Sequence, residues 1–458
     1  MRFSDILEKA RDVEEEAWEL LSEMVSYPSV ATRDYRGIED CANMLEERFK
    51  QTGYKVLRFS ESGPPVIYAE KNIGAKKTIM FYHHYDVQPE GDLALWTSSP
   101  WELTVRGDRA YGRGLSDDKG PLVESMIGIE LLEKLMTELP VNVKFVVEGE
   151  EESAPNNLPK FAHAHPELMK ANGCIWESGS AMPGSPAVIV CGMKGDAYFE
   201  LRAGGKPKFP AVDVHSGEAN AVPNPAWKLV WALSTLKDKN ENILIEGFNK
   251  EVIEPTPQEM AAVMEHSEDL EGLIKKEHGL DKLLMGRKGE ELVRWLYFKP
   301  TVTISGLTSG AQTSEDVTII PAKASAKVDV RLVPNLTMEK AEQLVKAHIL
   351  KQGFDDVEVV FKSGYDPAKT PLDDPFITML KALSAEAVAP AYVRVIPIIG
   401  SSGPVAFFTP HTPICMTYSH AEVDGTNSHA PNENMLVANM RNGIAYSAAT
   451  ALRLGETR

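Results

Sequence analysis

Five short motifs in this chain are rich in acidic residues and histidine, the side chains that bind divalent metal ions. They are His84-Tyr85-Asp86, Ser116-Asp117-Asp118-Lys119-Gly120, Glu150-Glu151-Glu152-Ser153, Trp176-Glu177-Ser178 and Asn427-Ser428-His429-Ala430. Each motif alone has an ordinary structural explanation. Together they supply two terminal imidazoles, a carboxylate that could bridge two ions, two terminal carboxylates and a spare glutamate to act as a base. This combination predicts a hydrolase in which two metal ions activate water at neutral pH.

The first motif places a histidine and an aspartate two residues apart. On an extended segment the side chains of His84 and Asp86 point the same way. The imidazole can therefore bind a metal ion while the carboxylate orients its other ring nitrogen or a nearby ligand. The alternative for this tripeptide is a histidine that is hydrogen-bonded at the end of a strand.

The second motif has two adjacent aspartates between glycines. Asp117 and Asp118 follow Gly114 and precede Gly120, which favours an irregular loop that directs one carboxylate inward. Such a carboxylate can bridge two ions about 3.5–4 Å apart. The alternative is an aspartate that caps a helix starting near Pro121.

The third motif is a run of three acids after an apolar segment. Among Glu150, Glu151 and Glu152, the predicted site needs one metal ligand and one free general base. A solvated acidic turn is the usual explanation of such a run, and it remains the alternative here.

Glu177 and a histidine near the end of the chain would complete the ligands. His420 competes with His429 for this position, since both lie in one polar segment. Mostly oxygen ligands with one imidazole per ion suit zinc, manganese or cobalt.

The motifs follow predicted strands. Apolar segments predict strands at residues 78–82, 141–147 and 174–176, and periodic apolar residues predict helices at 4–26, 37–51 and 121–139. This alternation predicts an α/β fold with a mainly parallel sheet covered by helices. Ligands bind beyond the carboxyl ends of the strands in such sheets, and His84, Glu151 and Glu177 come just after predicted strands.

The pattern changes after about residue 195. Predicted strands at 197–202 and 324–333, helices at 225–236 and 337–352, and a charged helical segment at about 240–300 indicate an inserted α+β domain. Strands at 393–399 and 413–418 and a helix at 435–454 then return to the first pattern. The predicted division is a catalytic domain at 1–193 and 371–458 around an inserted domain at 194–370.

The composition argues against some classes of partner and favours one kind of cellular compartment. The 458 residues include 48 basic and 66 acidic side chains, and the net charge of −18 argues against nucleic acid or an anionic membrane as partner. The four cysteines form no CxxC pair, which favours a reduced compartment. With neither an apolar signal core at the N-terminus nor a long apolar run, we expect a cytoplasmic protein.

Several motifs, taken in order, resemble those of the M20 metallopeptidase family, especially its carnosinase-like, cytosolic nonspecific dipeptidase branch. They are the segments 84–89 (HYDVQP), 111–114 (YGRG), 117–121 (DDKGP), 148–153 (EGEEES) and 331–335 (RLVPN). The resemblance implies a dinuclear metallohydrolase domain with an inserted lid and dimerisation domain. It also implies two divalent ions per subunit, with zinc as the first choice and manganese or cobalt as alternatives.

The resemblance also implies roles for the residues of the metal site. The terminal ligands would be His84, Glu152, Glu177 and His429, with Asp117 as the bridge, Asp86 orienting His84 and Glu151 as the general base. Glu150 would be solvated. The peptide between Asp117 and Asp118 would be cis.

Three residues of the inserted domain and the segment after it resemble the family's substrate-binding groups. His215 resembles a histidine that reaches the active site of the partner subunit and stabilises the oxyanion. Arg331 resembles the arginine that binds the substrate carboxylate, and Ser402 lies in a loop, 400–404, that would hold the same carboxylate. The alternatives are a structural histidine, a salt bridge on a strand and an ordinary turn.

The chain departs from the family pattern at three places. His83 stands where relatives often carry glycine, and Glu177 stands where several dipeptidases carry aspartate, although the carboxypeptidase and aminoacylase branches have glutamate. The segment 421–426 also differs. These departures bear on substrate choice more than on the metal site.

The predicted activity is metal-dependent hydrolysis of the amide bond in dipeptides or short peptides by a homodimer formed through the inserted domain. Water activated by two metal ions would lose its proton to Glu151 and attack the carbonyl. The alternatives are an N-acyl amino acid deacylase, such as a desuccinylase or an acetylornithine deacetylase-like enzyme, a glutamate carboxypeptidase-like exopeptidase, and a non-catalytic metal-binding scaffold.

Overall fold

The computed structural model describes residues 1–33, 36–61, 63–153, 156–177, 186–265, 267, 269–312, 314–417 and 425–457. Its strands are β1 Lys55–Phe59, β2 Val66–Lys71, β3 Thr78–His84, β4 Thr104–Arg106, β5 Arg109–Tyr111, β6 Asn142–Glu148, β7 Gly173–Trp176, β8 Ala187–Val190, β9 Gly192–Met193, β10 Gly195–Gly204, β11 Val214–His215, β12 Thr301–Ser309, β13 Ile319–Ile320, β14 Lys323–Leu332, β15 Val357–Tyr365, β16 Ala368–Lys369, β17 Val393–Ile396, β18 Ile414–Thr417 and β19 Asn434–Leu436.

The α-helices are α1 Phe3–Lys9, α2 Glu14–Ser26, α3 Arg36–Gln51, α4 Lys119–Leu135, α5 Asn157–Ala164, α6 Pro225–Ser234, α7 Pro257–Met264, α8 Leu270–His278, α9 Gly289–Phe298, α10 Met338–Lys351, α11 Pro375–Val388 and α12 Val437–Glu456. The single helix expected at 4–26 is divided into α1 and α2 by the 3₁₀ turn Ala10–Val13. No helix among these described residues has the length and apolar character that a membrane span needs.

The chain forms two compact units. The first comprises Met1–Cys191, Thr370–Pro397 and Phe407–Arg458, and the second comprises Gly192–Lys369 and Ile398–Ala406. The division predicted from the sequence, at 193/194 and 370/371, places residues 398–406 with the catalytic domain, whereas their contacts group this segment with the second unit.

The first unit is built on a mixed sheet with a parallel centre. Its strand order is β1-β2-β6-β3-β7-β18-β8-β17, and β6, β3, β7 and β18 run parallel to one another. Every residue of β6 is buried, as expected for a parallel strand that helices cover on both faces. Helices α4 and α12 pack against each other, and α4 also contacts β3. The predicted α/β class with a mainly parallel sheet is confirmed.

The second unit has a four-stranded sheet in the order β12-β14-β10-β15, with antiparallel neighbours. Buried residues alternate with more exposed ones along β10 and β14, because only one face of this sheet is covered. Helices α6 and α10 pack on the sheet. This arrangement is the predicted α+β unit.

Candidate metal centre

The predicted metal ligands and the predicted general base, Glu151, meet beyond the carboxyl ends of the parallel strands of the first unit. His84 is the last residue of β3, Glu151 begins a 3₁₀ turn just after β6, and Glu177 directly follows β7. Asp117 lies in the loop before α4, and His429 lies in the segment before β19. The parallel order of β6, β3 and β7 places the ends of these strands side by side at one edge of the sheet.

The Asp117 carboxylate stands between the two histidines. Its Oδ1 atom is 3.0 Å from His84 Nε2, and its Oδ2 atom is 2.8 Å from His429 Nε2. Oε1 of Glu177 is 3.9 Å from His84 Nε2, and Oε1 of Glu152 is 3.2 Å from His429 Nε2. Each oxygen of Asp117 therefore faces a different imidazole, as a carboxylate that bridges two ions must.

Potential ligand atoms form two groups whose members lie within 4.8 Å of one another. One group is His84, Glu151 and Glu177, and the other is Asp117, Glu152 and His429. The structure thus brings together every residue predicted as a ligand. His420 and the segment 421–424 lie outside the described residues.

The chemistry of these residues fits two divalent cations. Among the described residues, Oε1 of Glu177 is buried and accepts no hydrogen bond. Buried oxygens without a donor or a cation are costly. Burial raises the pKa of Glu151 to about 8, with Glu152 and Asp86 adding to the rise and His84 opposing it. The pKa of Glu177 is also well above its usual value, through burial and then the charge of Glu151. Nearby cations would favour the ionised forms.

Hydrogen bonds to carboxylates change the pKa values of the two histidines and of Asp117. Bonds to Asp117 and Glu152 raise the pKa of His429 to about 10. Burial lowers the pKa of His84, but bonds to Asp117 and Asp86 outweigh it and the net change is upward. Burial opposes the ionisation of Asp117, yet bonds from His429 and His84 hold its pKa below the usual range. The metal-free site therefore holds protons on atoms that would bind metal.

Asp86 connects the end of β3 to the acidic turn. Its two carboxylate oxygens accept the backbone N–H groups of Glu151 and Glu152, each at 3.1 Å. His84 Nδ1 is 3.0 Å from the backbone oxygen of Asp86 and 3.5 Å from its Oδ1. The closest contact of Asp86 with His84 is thus made by its backbone oxygen. The Asp86 carboxylate instead fixes the turn that carries Glu151, the predicted base, and Glu152, a predicted ligand.

Glu150 corrects one expectation. It was predicted to be solvated, but its side chain is buried. Its Oε1 accepts the backbone N–H groups of Asn156 at 2.7 Å and Asn157 at 2.6 Å. These donors lie at the N-terminus of α5, where the first backbone N–H groups have no partner within the helix. The three adjacent glutamates therefore have different surroundings, and Glu150 caps the N-terminus of α5.

Two positioning residues were missed in the sequence. Glu433 is buried and accepts hydrogen bonds from Arg113, Ser116 and the N–H groups of Gly114 and Asp117, at 2.7–3.2 Å. Gln88 donates to Oε2 of Glu152 at 3.0 Å. Gln88 lies within the segment 84–89 that carries the family resemblance, which was a usable signal. For Glu433 the only signal was its place shortly after His429.

The predicted substrate-binding residues lie in the second unit. Arg331 donates from its guanidinium to Ser402 Oγ, and its Nε atom is 3.3 Å from Asp329 Oδ1. His215 ends β11 on the exposed surface, and its Nδ1 accepts the N–H of Gly217 at 3.0 Å. The structure therefore brings Arg331 and Ser402 together. The peptide between Asp117 and Asp118 is cis, as the resemblance implied.

Comparison with known proteins gives the family. The model of peptidase family M20/M25/M40 matches residues 80–453. The Cys-Gly metallodipeptidase dug1 of Schizosaccharomyces pombe is 35% identical over 294 residues, 63% of this chain and 60% of dug1. The human Beta-Ala-His dipeptidase is 30% identical over 295 residues, 62% of this chain and 56% of that protein. The matches thus span less than two thirds of the length of these curated relatives.

A solved structure matches over nearly the whole chain. The M20 family metallo-carboxypeptidase Sso-CP2 from Sulfolobus solfataricus has a TM-score of 0.87 and 32% identity, covering 96% of this chain and 100% of that one. These matches confirm the resemblance predicted from the motifs: the chain belongs to peptidase family M20/M25/M40.

Proposed function

We propose that this metallopeptidase hydrolyses the peptide bond of dipeptides or short peptides with two divalent ions per subunit. The observation that carries the proposal is the Asp117 carboxylate, whose two oxygens face His84 and His429 separately. The names of the curated relatives, a Cys-Gly metallodipeptidase and Beta-Ala-His dipeptidases, support dipeptides as the substrate class.

In this proposal one ion is held by His84, Asp117 and Glu177, and the other by Asp117, Glu152 and His429. Zinc is the first choice, and manganese or cobalt are alternatives. Ions bound there would polarise the scissile carbonyl and lower the pKa of water. The four cysteines are buried and free, which supports our proposal that the protein works in a reducing compartment such as the cytoplasm.

Glu151 would do the proton transfer. It takes a proton from the attacking water and returns it to the leaving amine. Because Asp86 accepts the N–H groups of both Glu151 and Glu152, the base and its neighbouring ligand keep a fixed relation to each other. Arg331 and Ser402 would bind the substrate carboxylate, and His215 of the partner subunit would stabilise the oxyanion.

A second candidate is a carboxypeptidase that acts on longer or N-blocked peptides. It is supported by the similarity to Sso-CP2, which is described as a metallo-carboxypeptidase and matches 96% of this chain. The proposed chemistry at the metal ions is the same in both candidates. Only the space and the charge that the enzyme accepts at the substrate amino group differ.

The deciding experiment supplies metal-free protein in turn with Zn²⁺, Mn²⁺ and Co²⁺ and measures kcat/KM. The substrates are free dipeptides, N-blocked dipeptides, dipeptide amides, and N-acetyl and N-succinyl amino acids. We expect metal-dependent cleavage of free dipeptides, with the amides much poorer because they lack the carboxylate for Arg331. Preference for N-blocked peptides would indicate the carboxypeptidase, and cleavage of only acyl amino acids would indicate the deacylase. Metal binding without any hydrolysis would indicate the scaffold.

We also propose that the second unit forms a homodimer through α6. Trp227 and Trp231 lie on this helix with 57% and 54% of their surfaces exposed, and their rings stack with centroids 5.9 Å apart. Val230 beside them is 41% exposed. Exposed aromatic pairs of this kind are typical of the centre of a protein interface.

Replacing the tryptophan, Trp231→Lys, should convert the dimer to monomer in sedimentation velocity, because a charged side chain would have to be buried. Leu350→Lys is the matched control, since Leu350 is 64% exposed on α10 of the same unit and should leave the dimer intact. If His215 acts across the dimer, the monomer should lose nearly all activity. A fully active monomer would show that His215 does not act in the partner's site.

A further inference from the structure

His83 is a fully buried histidine beside the metal ligands, and both of its ring nitrogens have partners. It precedes His84 at the end of β3 and has 0% exposure. Nδ1 lies 2.8 Å from Asp118 Oδ2, and Nε2 lies 3.0 Å from Ser125 Oγ on α4. Neighbouring residues of a strand point to opposite sides, so His83 is directed away from the side on which His84 meets Asp117.

The direction of the hydrogen bonds follows from the partners. An aspartate carboxylate only accepts, so Nδ1 of His83 must carry the hydrogen and donate it to Asp118. With Nδ1 protonated, Nε2 of a neutral ring accepts from the hydroxyl of Ser125. The same oxygen of Asp118 also accepts the backbone N–H of His84 at 3.1 Å. Asp118 is therefore fixed by two donors from the end of β3, and one of them is anchored to α4 through Ser125.

Asp118 is covalently joined to Asp117, and the loop is held from the other side as well. Glu433 accepts the backbone N–H of Asp117 at 3.2 Å. A terminal ligand needs one well-placed oxygen, but a bridging carboxylate needs each of its two oxygens directed at a different ion. Rotation at Asp118 would therefore disturb Asp117 more than it would disturb a terminal ligand. A change in the position of Asp118 should therefore impair the simultaneous binding of two ions more than the binding of one.

We propose that His83 is a positioning residue of the metal centre. It holds Asp118, and through it Asp117, in the orientation that lets one carboxylate serve two ions. The inference rests on the proposed two-metal function. It assigns a role to a side chain that contacts neither substrate nor the reacting atoms.

Two substitutions separate the two ends of the histidine. In His83→Asn the amide nitrogen stands close to the place of Nδ1 and can still donate to Asp118. In His83→Gln the amide reaches toward Ser125 and leaves Asp118 without this donor. Glutamine is nearer to histidine in volume than asparagine is. If His83 served only to fill space, glutamine would be the better replacement, whereas the proposed role favours asparagine.

The test is titration of metal-free protein with Co²⁺, following its visible absorbance and the stoichiometry. We expect the wild type and His83→Asn to bind two ions with similar affinity. For His83→Gln we expect the dissociation constant of the second ion to rise by about 10- to 100-fold, with an altered cobalt spectrum, as is usual when a group that orients a ligand is lost. Thermal unfolding of the metal-free proteins reports the purely structural effect separately.

Asp118→Ala removes the same hydrogen bond from its other end, and it keeps the test decisive if His83→Gln does not fold. It also removes the acceptor of the His84 backbone N–H, so it should weaken binding of the second ion at least as much as His83→Gln does. The double variant should bind the second ion no more weakly than Asp118→Ala alone. If His83→Gln bound two ions like the wild type, or if His83→Asn bound the second ion as weakly as His83→Gln, the proposed role of His83 would be overturned. The two-metal function would not be affected by either result. A wild type that binds only one ion would overturn the two-metal function and this inference together.

Discussion

Replacing Glu151 with glutamine is expected to lower kcat by about 10²- to 10⁴-fold, the usual contribution of a general acid–base group. The amide keeps the shape of the side chain but cannot accept the proton of the attacking water. The backbone N–H of residue 151 would still donate to Asp86, as it does in the native turn at 3.1 Å. Steady-state kinetics on the preferred dipeptide, with metal content measured on the same samples, checks the result.

The neighbouring glutamate is the matched control. Glu150 accepts the N–H groups of Asn156 and Asn157 at the start of α5, and the amide oxygen of Glu150→Gln can still accept one of them. We expect near-normal kcat from this variant and two bound ions from both variants. If Glu151→Gln retained wild-type kcat with both ions bound, another group would have to be the base.

The positions of the ligands along the chain could be predicted because they follow a local rule. His84 ends β3, Glu177 follows β7 and the predicted base Glu151 comes just after β6, and the carboxyl ends of parallel strands meet at one edge of a sheet. The strands have apolar runs, as at residues 79–82 of β3, so their ends were visible in the sequence. Asp117 needed more than this rule: the flanking glycines indicated a bridging carboxylate in its loop, and the family resemblance chose Asp117 over Asp118.

What could not be predicted depends on side-chain direction or on distant partners. Nothing in three consecutive glutamates shows that Glu150 turns back to α5 while its neighbours face the histidines. Glu433 holds the N–H groups of Gly114 and Asp117 across more than 300 residues of sequence, and no local pattern reports such a contact. The return of residues 398–406 to the second unit is likewise decided by tertiary contacts.

Metal binding is expected to release protons, and the apparent affinity should fall as the pH is lowered. In the metal-free site the pKa of His429 is raised to about 10, and that of His84 is also raised. His429 is therefore cationic at pH 7, and the raised pKa of His84 favours its cationic form, but only a neutral imidazole can bind a metal ion. Burial raises the pKa of Glu151 to about 8, so this carboxyl also holds a proton that two cations would displace. The pKa of Glu177 shifts in the same direction.

The direction of the pH effect on metal affinity follows from the protons bound to the metal-free protein. Because the metal-free protein holds more protons than the metal-bound one, the dissociation constant should rise as pH falls, by about tenfold per pH unit for each proton released. Chelation should abolish hydrolysis, and saturation at about 1,000 times the dissociation constant should stabilise the fold by about 4 kcal/mol. Calorimetric titration with Zn²⁺ at pH 7, in two buffers of different ionisation enthalpy, counts the protons released.

Removing one imidazole tests where those protons come from. Metal binding by His429→Ala should release about one proton fewer than metal binding by the wild type. The ion held by Asp117 and Glu152 should bind more weakly, while the ion held by His84 and Glu177 is affected less. The two proposed ions share only Asp117 as a ligand, so their losses of affinity should be unequal. Metal binding that releases no protons at pH 7 would mean that the imidazoles are already neutral there. In that case the hydrogen bonds that His84 and His429 donate to Asp117 would not be competing with the cations for these two imidazoles.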